Sequence, residues 1–149
     1  MTRPNQPEPG PVARTLAWNV QRVRAETQQS HADLRQRLEE LGHPVHRSWV
    51  SEVENCRRRV DVDDLVVLAA ALRVSPATLL MPMSLVADDL VRQTPIGAHE
   101  ARDYWEFLVA ERPAFTRGDD PSDDDATLFR ALSRPRWDQK LDENQEAGE

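Results

Sequence analysis

Apolar residues recur at helical spacing through the first half of the chain. Leu16, Val20 and Val23 lie four and three residues apart between Ala13 and Glu26, which places them on one face of a helix, while Arg14, Gln21, Arg22 and Glu26 fall largely on the other. Ser30 and Asp33 then form a variant of the capping box, with the Ser30 hydroxyl accepting from the Asp33 N–H, and Leu34, Leu38 and Leu41 continue the stripe into a second helix. Gly42 ends that helix beside His43 and Pro44, because glycine accepts the left-handed closing residue and proline cannot extend a helix.

Between Pro44 and Asn55 a third pattern appears. Val45 precedes a short helix beginning near His46, and Val50 and Val53 lie on its inner side. Arg47, Ser48, Ser51, Glu52 and Asn55 are left outward, a polar, hydrogen-bonding face followed at once by Arg57, Arg58 and Arg59. The fourth helix has Asp63 and Asp64 in its first turn, where the helix dipole favours acids, and Leu65 to Leu72 is apolar almost all round, which predicts a buried centre. Ser75-Pro76 opens a fifth helix that reaches Leu80 and is closed by Pro82. Nothing alternates with a period of two for long enough to predict a strand.

Beyond Met83 the expected pieces are a helix over 84–93, carrying Leu85, Val86, Leu90 and Val91, and another capped by Thr94-Pro95 that carries Ala101, Tyr104, Trp105 and Leu108 to about Arg112. Together they predict a helical hairpin. From Arg117 the chain is rich in aspartate and glutamate and is expected to be largely disordered, with a short helical piece from Ala126 to Leu132. Four prolines within residues 1–11 predict a flexible arm with almost nothing to bury. The chain thus reads as all-α: an arm over 1–11, a five-helix domain over 12–82, a hairpin over 83–116 and an acidic tail over 117–149.

Charge sharpens this division. The formal net charge of −7 argues against a nucleic-acid binder until it is apportioned. Residues 12–82 hold 10 arginines against 9 acids, whereas residues 83–149 hold 8 basic residues against 16 acidic ones. The acidity belongs to the second half. Arginine outnumbers lysine 18 to 1, a bias that suggests a bacterial source with GC-rich coding. At 149 residues there is room for one domain of ordinary size with appendages, which excludes large catalytic barrels and doubly wound sheets.

Chemistry is excluded more than suggested. Cys56 is the single cysteine, and with four scattered histidines it offers no zinc-like spacing, so no metal and no cofactor is expected. The acids from Asp119 to Asp125 lack the spacing and terminal glutamate of a calcium loop. No nucleophile–base pair or glycine-rich phosphate loop is present, and an enzyme is not expected. No apolar run approaches the roughly 18 residues of a membrane span, and the first residues do not read as a signal peptide, so a cytoplasmic protein is expected.

The order and spacing of these pieces resemble a known family. Asn19 to Arg24, Ser30 to Leu41, Ser48 to Asn55 and Val62 to Pro76, taken together, resemble the Xre, phage-repressor-like helix-turn-helix family over roughly Ala13 to Met81. The resemblance implies a transcriptional regulator, usually a homodimer, that inserts the helix around Arg47–Asn55 into the major groove of double-stranded DNA. It makes Arg47, Ser48, Ser51, Glu52 and Asn55 the base-contacting residues. Their chemistry suits the role, since Arg grips guanine and Asn adenine bidentately, Glu accepts from cytosine and Ser adapts. Ser30 and His31 match positions that touch phosphate, and Arg57, Arg58 and Arg59 are further phosphate-contact candidates beside a solvated-loop reading.

Three departures from the family pattern stand out. Leu34 and Val45 are 11 residues apart, which predicts a second helix about a turn longer than usual. Cys56 occupies a common glycine position, leaving Asn55 as the candidate left-handed residue, and His31 replaces a frequent glutamine. Trp49 reads as packing between helices or against a partner subunit, with base contact as the alternative. Tyr104, Trp105 and Leu108 read either as the hairpin core or as a dimer or partner surface. The competing functional reading is an antitoxin or adaptor whose acidic residues 83–149 bind a protein partner.

Overall fold

The structure is a computed structural model describing residues 8–93, 96–114 and 121–138. The chain divides into two compact units, Met1–Met83 and Ser84–Glu149. The first unit contains five helices: α1 (Pro11–Glu26), α2 (His31–Glu40), α3 (Trp49–Glu54), α4 (Val62–Leu72) and α5 (Pro76–Leu80).

Each boundary has a local cause. Pro11 stands at the first position of α1, where its missing N–H costs nothing. Ser30 and Asp33 close a reciprocal capping box on α2, with the Asp33 N–H donating to Ser30 Oγ at 3.1 Å and the Ser30 N–H to Asp33 Oδ2 at 2.7 Å. α2 stops at Glu40, and Gly42 takes the positive φ of +79° that reverses the chain. α4 opens on a second capping box, between Asp61 and Asp64. Asp64 is buried and also meets His43 Nε2 at 2.9 Å, tying the start of α4 to the loop after α2. Ser75 caps α5 through the Thr78 N–H.

The core combines Leu16, Val20 and Val23 of α1, Leu34 and Leu38 of α2, Trp49, Val50 and Val53 of α3, Leu68 and Leu72 of α4, and Leu79 of α5. Burying each large aliphatic side chain contributes about 1.5–3 kcal/mol, so these stripes account for why five short helices hold together. Asn19, buried within α1, donates from Nδ2 to the carbonyls of Leu79 and Met81 at 3.1 and 2.8 Å and so fastens α1 to the end of α5. α4 is less enclosed than its composition predicts. Val62 and Val66 lie on its outer side, 76% and 58% exposed, because the stripe through Leu68, Ala69, Ala71 and Leu72, flanked by the partly buried Leu65 and Val67, is what faces the other helices.

The second unit overturns the predicted helical hairpin. Strands β1 (Leu90–Gln93) and β2 (Gly97–Glu100) form an antiparallel two-stranded sheet with Val91 opposite His99, followed by α6 (Ala101–Leu108) and α7 (Asp123–Ser133). The reason lies in Asp89, whose carboxylate accepts from the N–H groups of Leu85 and Val86 at 3.0 and 3.3 Å and from Ser84 Oγ at 3.1 Å. With this turn in place the Ala101 and Arg102 N–H groups close onto the Asp89 and Ala87 carbonyls at 2.8 and 2.9 Å, acceptors that a helix over 84–93 would need for its own N–H groups. The hydrogen bonds that the Asp89 carboxylate accepts hold it below its ordinary pKa. Along β1, Val91 and Gln93 are buried while Leu90 and Arg92 face outward, an alternation four residues long.

α6 starts later than expected because the chain is still strand-paired up to Glu100; the predicted cap at Thr94-Pro95 lies outside the described residues. α7 contains the expected helical piece and extends it at both ends, capped by a Ser122–Asp125 box. The described residues are therefore mainly helical with one small sheet, not purely all-α. Of the segment expected to be disordered, residues 121–138 are described and 123–133 are helical. No described helix is long and apolar enough to cross a membrane.

Candidate nucleic-acid interface

α3 is amphipathic within two turns. Trp49, Val50 and Val53 are 1–2% exposed and anchor it in the core. Arg47, Ser48 and Asn55 are exposed and Ser51 and Glu52 half-buried, so the five residues expected to contact bases share the side of α3 and its flanks that the core leaves uncovered. The helix itself begins at Trp49, later than the His46 start read from the sequence, which leaves Arg47 and Ser48 in the preceding turn.

That face is partly organised by its own hydrogen bonds. Ser48 Oγ donates to Glu52 Oε1 at 2.7 Å and lies 3.0 Å from His46 Nδ1, and Asn55 Nδ2 donates to the Ser51 carbonyl at 2.7 Å. Arg47 has no such tie: among the described residues it forms no ion pair or hydrogen bond. Arg57, Arg58 and Arg59 are exposed and likewise without acidic partners among the described residues. Four guanidinium groups against the single carboxylate of Glu52 make this edge of an acidic protein locally basic.

The chain reaches the arginine run through Cys56. Cys56 takes the left-handed conformation, with φ +53°, while Asn55 stays at φ −97°. The expectation that Asn55 would adopt it is corrected: the turn falls one residue later, where the Cys56 N–H closes onto the Val53 carbonyl at 3.1 Å and the Arg57 N–H onto Glu52 at 2.8 Å.

For Trp49 the structure selects packing between helices: at 2% exposure its ring lies in the core, which withdraws it from the partner or dimer surface and from base contact. His43 meets it edge-on with ring centroids 6.2 Å apart, and the Arg58 guanidinium sits 5.6 Å from its centroid. Arg58 is thereby positioned by a cation–π contact as well as by the backbone.

A residue that sequence reasoning passed over orients this helix. Glu54, at the end of α3, has a side chain 5% exposed that accepts from Arg24 Nε and Nη2 of α1 at 2.6 and 3.1 Å and lies 2.9 Å from His31 Nε2 of α2. One carboxylate therefore joins three helices. Burial works to raise its pKa, but the hydrogen bonds from Arg24 and His31 outweigh this and hold it below the ordinary value. No local signal announces the group, since Arg24 and Glu54 are 30 residues apart and belong to different stripes.

Of the two further phosphate-contact candidates, Ser30 is engaged in its capping box and His31 in the Glu54 cluster. The N–H groups of His31 and Ala32, in the first turn of α2, are left without acceptors among the described residues, as helix starts require.

In the second unit Tyr104 is 4% exposed and its phenol is pushed up in pKa by burial, which withdraws it from the proposed surface. Trp105 is 40% exposed and Leu108 half-buried. Phe107 packs against both Tyr104 and Phe129, with ring centroids 6.3 Å away in each case.

No protein-family model matches this chain, and no curated protein matches it. Among solved structures it is similar to a hypothetical transcription factor from Neisseria, with 26% sequence identity and a TM-score of 0.43, over 54% of this chain and 91% of that one.

Proposed function

We propose that the first unit is the DNA-reading part of a sequence-specific transcriptional regulator of the Xre, phage-repressor-like type. The observation that carries this reading is the uncovered side of α3, where Arg47, Ser48, Ser51, Glu52 and Asn55 stand beside the unpaired Arg57 and Arg59. A major groove admits one helix, polar side chains read base edges, and flanking arginines neutralise phosphates. The protein acts without catalysis, cofactor or metal. As a homodimer it addresses two half-sites about 34 Å apart.

Selecting bound fragments from a genomic library with the purified full chain, then titrating salt on the best of them, tests the reading. A shared motif bound about 10³-fold or more tighter than random duplex is expected. Uniform, weak binding to all fragments overturns it. Within that experiment, Arg47→Ala and Asn55→Ala relax preference at single base positions by about 1–3 kcal/mol. Affinity and preference both unchanged in Arg47→Ala would remove α3 from the groove.

A second reading, an antitoxin-like or adaptor module that holds a protein partner through residues 83–149, is favoured by one feature of the second unit. Leu85, Val86 and Leu90 are 86%, 60% and 75% exposed, and Leu128, Leu132 and Trp137 are 59%, 78% and 70% exposed. Exposed apolar side chains in such number in a small unit are what a partner covers. Retrieval of a stoichiometric partner by the full chain, lost in a Leu128→Asp, Leu132→Asp variant, supports this reading; tight operator binding with no partner retrieved counts against it.

A further inference from the structure

The two sides of α7 differ in what they touch. On one side Ala126 is 8% exposed, Phe129 packs against Phe107, and the guanidinium of Arg134, just past the helix end, reaches the Ala110 carbonyl and Glu111. On the other side Leu128 and Leu132, one turn apart, are 59% and 78% exposed, and Ala131 between them is exposed as well. The second unit thus leaves an apolar seam uncovered on a helix that it anchors from behind.

Charge on α7 is arranged end to end. Its first turn holds Asp123, Asp124 and Asp125, and Arg134 and Arg136 follow its last turn. Asp125 is committed to the capping box, and Arg134 to Glu111 and Asp138. Asp124 and Arg136 are exposed and form no ion pair or side-chain hydrogen bond among the described residues. Asp124 stands four residues before Leu128, on the same stripe, and Arg136 four residues after Leu132, beyond the helix end.

We propose that this seam pairs with the same seam of a second copy, the two α7 helices running antiparallel about a two-fold axis. In such a contact a residue i that meets j is met in turn by j of the other copy. Leu128 and Leu132 lie two residues either side of position 130, and Asp124 and Arg136 six either side. The register that sets Leu128 against the partner's Leu132 therefore also sets Asp124 toward the partner's Arg136, at both ends. Arg130, about 200° round the helix from Leu128, faces away from the axis, with Nη2 3.5 Å from Thr127 Oγ1, so like charges do not meet at the centre. A parallel pairing would instead set the two acidic first turns against each other. An unrelated partner would have to carry the same order of base, leucines and acid, which a second copy already has. The contact supplies the homodimer that the DNA reading invokes, yet it is tested apart from that reading, because self-association is measured without DNA.

Analytical ultracentrifugation of the full chain from about 5 to 200 µM is the test, since a small interface gives a reversible dimer. A monomer–dimer equilibrium is expected. Leu132→Asp buries a charge twice in the seam and is expected to weaken the dimer about 10-fold or more. Asp124→Arg is expected to weaken it about 5-fold, by turning two attractions into repulsions, and adding Arg136→Asp to that variant to restore it to within about 2-fold of wild type. All three positions are exposed, so the fold is kept, and circular dichroism of each variant checks it. Leu85→Asp, at an exposed position outside the seam, leaves the equilibrium unchanged. A monomeric wild type, which would leave the seam to the unrelated partner of the second reading, overturns the proposal. So does a dimer undiminished by Leu132→Asp, a loss as large in Leu85→Asp, or a double exchange that restores nothing.

Discussion

Glu54 and Arg24 meet in a two-pronged ion pair, the carboxylate accepting from Nε at 2.6 Å and Nη2 at 3.1 Å. The pair connects the last residue of the short helix bearing the polar face with the last turn of α1. Its partners are little exposed, at 5% and 16% for the two side chains, so removing one leaves a charge that water reaches poorly. Arg24→Ala is therefore expected to lower unfolding free energy by about 3 kcal/mol, the lower end of what breaking a buried pair costs. Urea denaturation of wild type and variant measures it; a loss no greater than that of Arg102→Ala, whose pair with Asp88 is exposed on both sides, refutes it.

The same carboxylate gives a pH dependence of known sign. The folded pKa of Glu54 is depressed, so its contribution is fully present above the unfolded value, about 4.3, and is lost as pH falls through the folded value. Glu54→Gln is expected to be less stable than wild type at pH 7, with the difference shrinking below about pH 4. A difference that stays constant from pH 7 to pH 3 would show that the charge on Glu54 is not what stabilises.

The arginine run divides into two kinds of residue. Arg57 and Arg59 are exposed without partners among the described residues, whereas Arg58 lies over Trp49. Replacing Arg57 or Arg59 with alanine should weaken binding to all DNA sequences alike and reduce the salt slope by about 1, with stability unchanged. Arg58→Ala should additionally lower stability by about 0.5–1 kcal/mol through the lost cation–π contact. Parallel salt titrations and melting curves separate the two; identical behaviour of all three variants would reject the distinction.

Cys56 holds a conformation that L side chains disfavour. At φ +53°, Cys56→Gly is expected to stabilise the protein by about 1 kcal/mol, and Cys56→Val to destabilise it, because a β-branched side chain tolerates that region least. Equilibrium denaturation decides this. A less stable glycine variant would mean that the thiol, whose Sγ lies 3.8 Å from the Ala13 carbonyl, contributes more than the backbone strain costs.

How much of this was legible in the sequence follows from the range of the forces involved. Capping boxes, proline at a helix start, acids in a first turn and apolar residues three and four apart act within a few residues, so α1, α2, α4 and α5 were readable from residues such as Leu16, Ser30, Leu34, Asp63, Asp64 and Ser75. The polar face of α3 was readable for the same reason, as the complement of Val50 and Val53. Residues 84–93 misled because Leu85, Val86, Leu90 and Val91 satisfy a helical spacing, while three hydrogen bonds to the Asp89 carboxylate favour a turn that the apolar pattern does not encode.

Sequence by itself determined where the five helices of the first unit lie, to within a few residues at their ends, and which side chains around the third would be left outward, since both depend on local geometry. Tertiary structure alone decided that Trp49 is core, that Cys56 and not Asn55 turns the chain, and that Glu54 joins α1, α2 and α3. These depend on groups up to 30 residues apart, brought within hydrogen-bonding distance only once the core has closed.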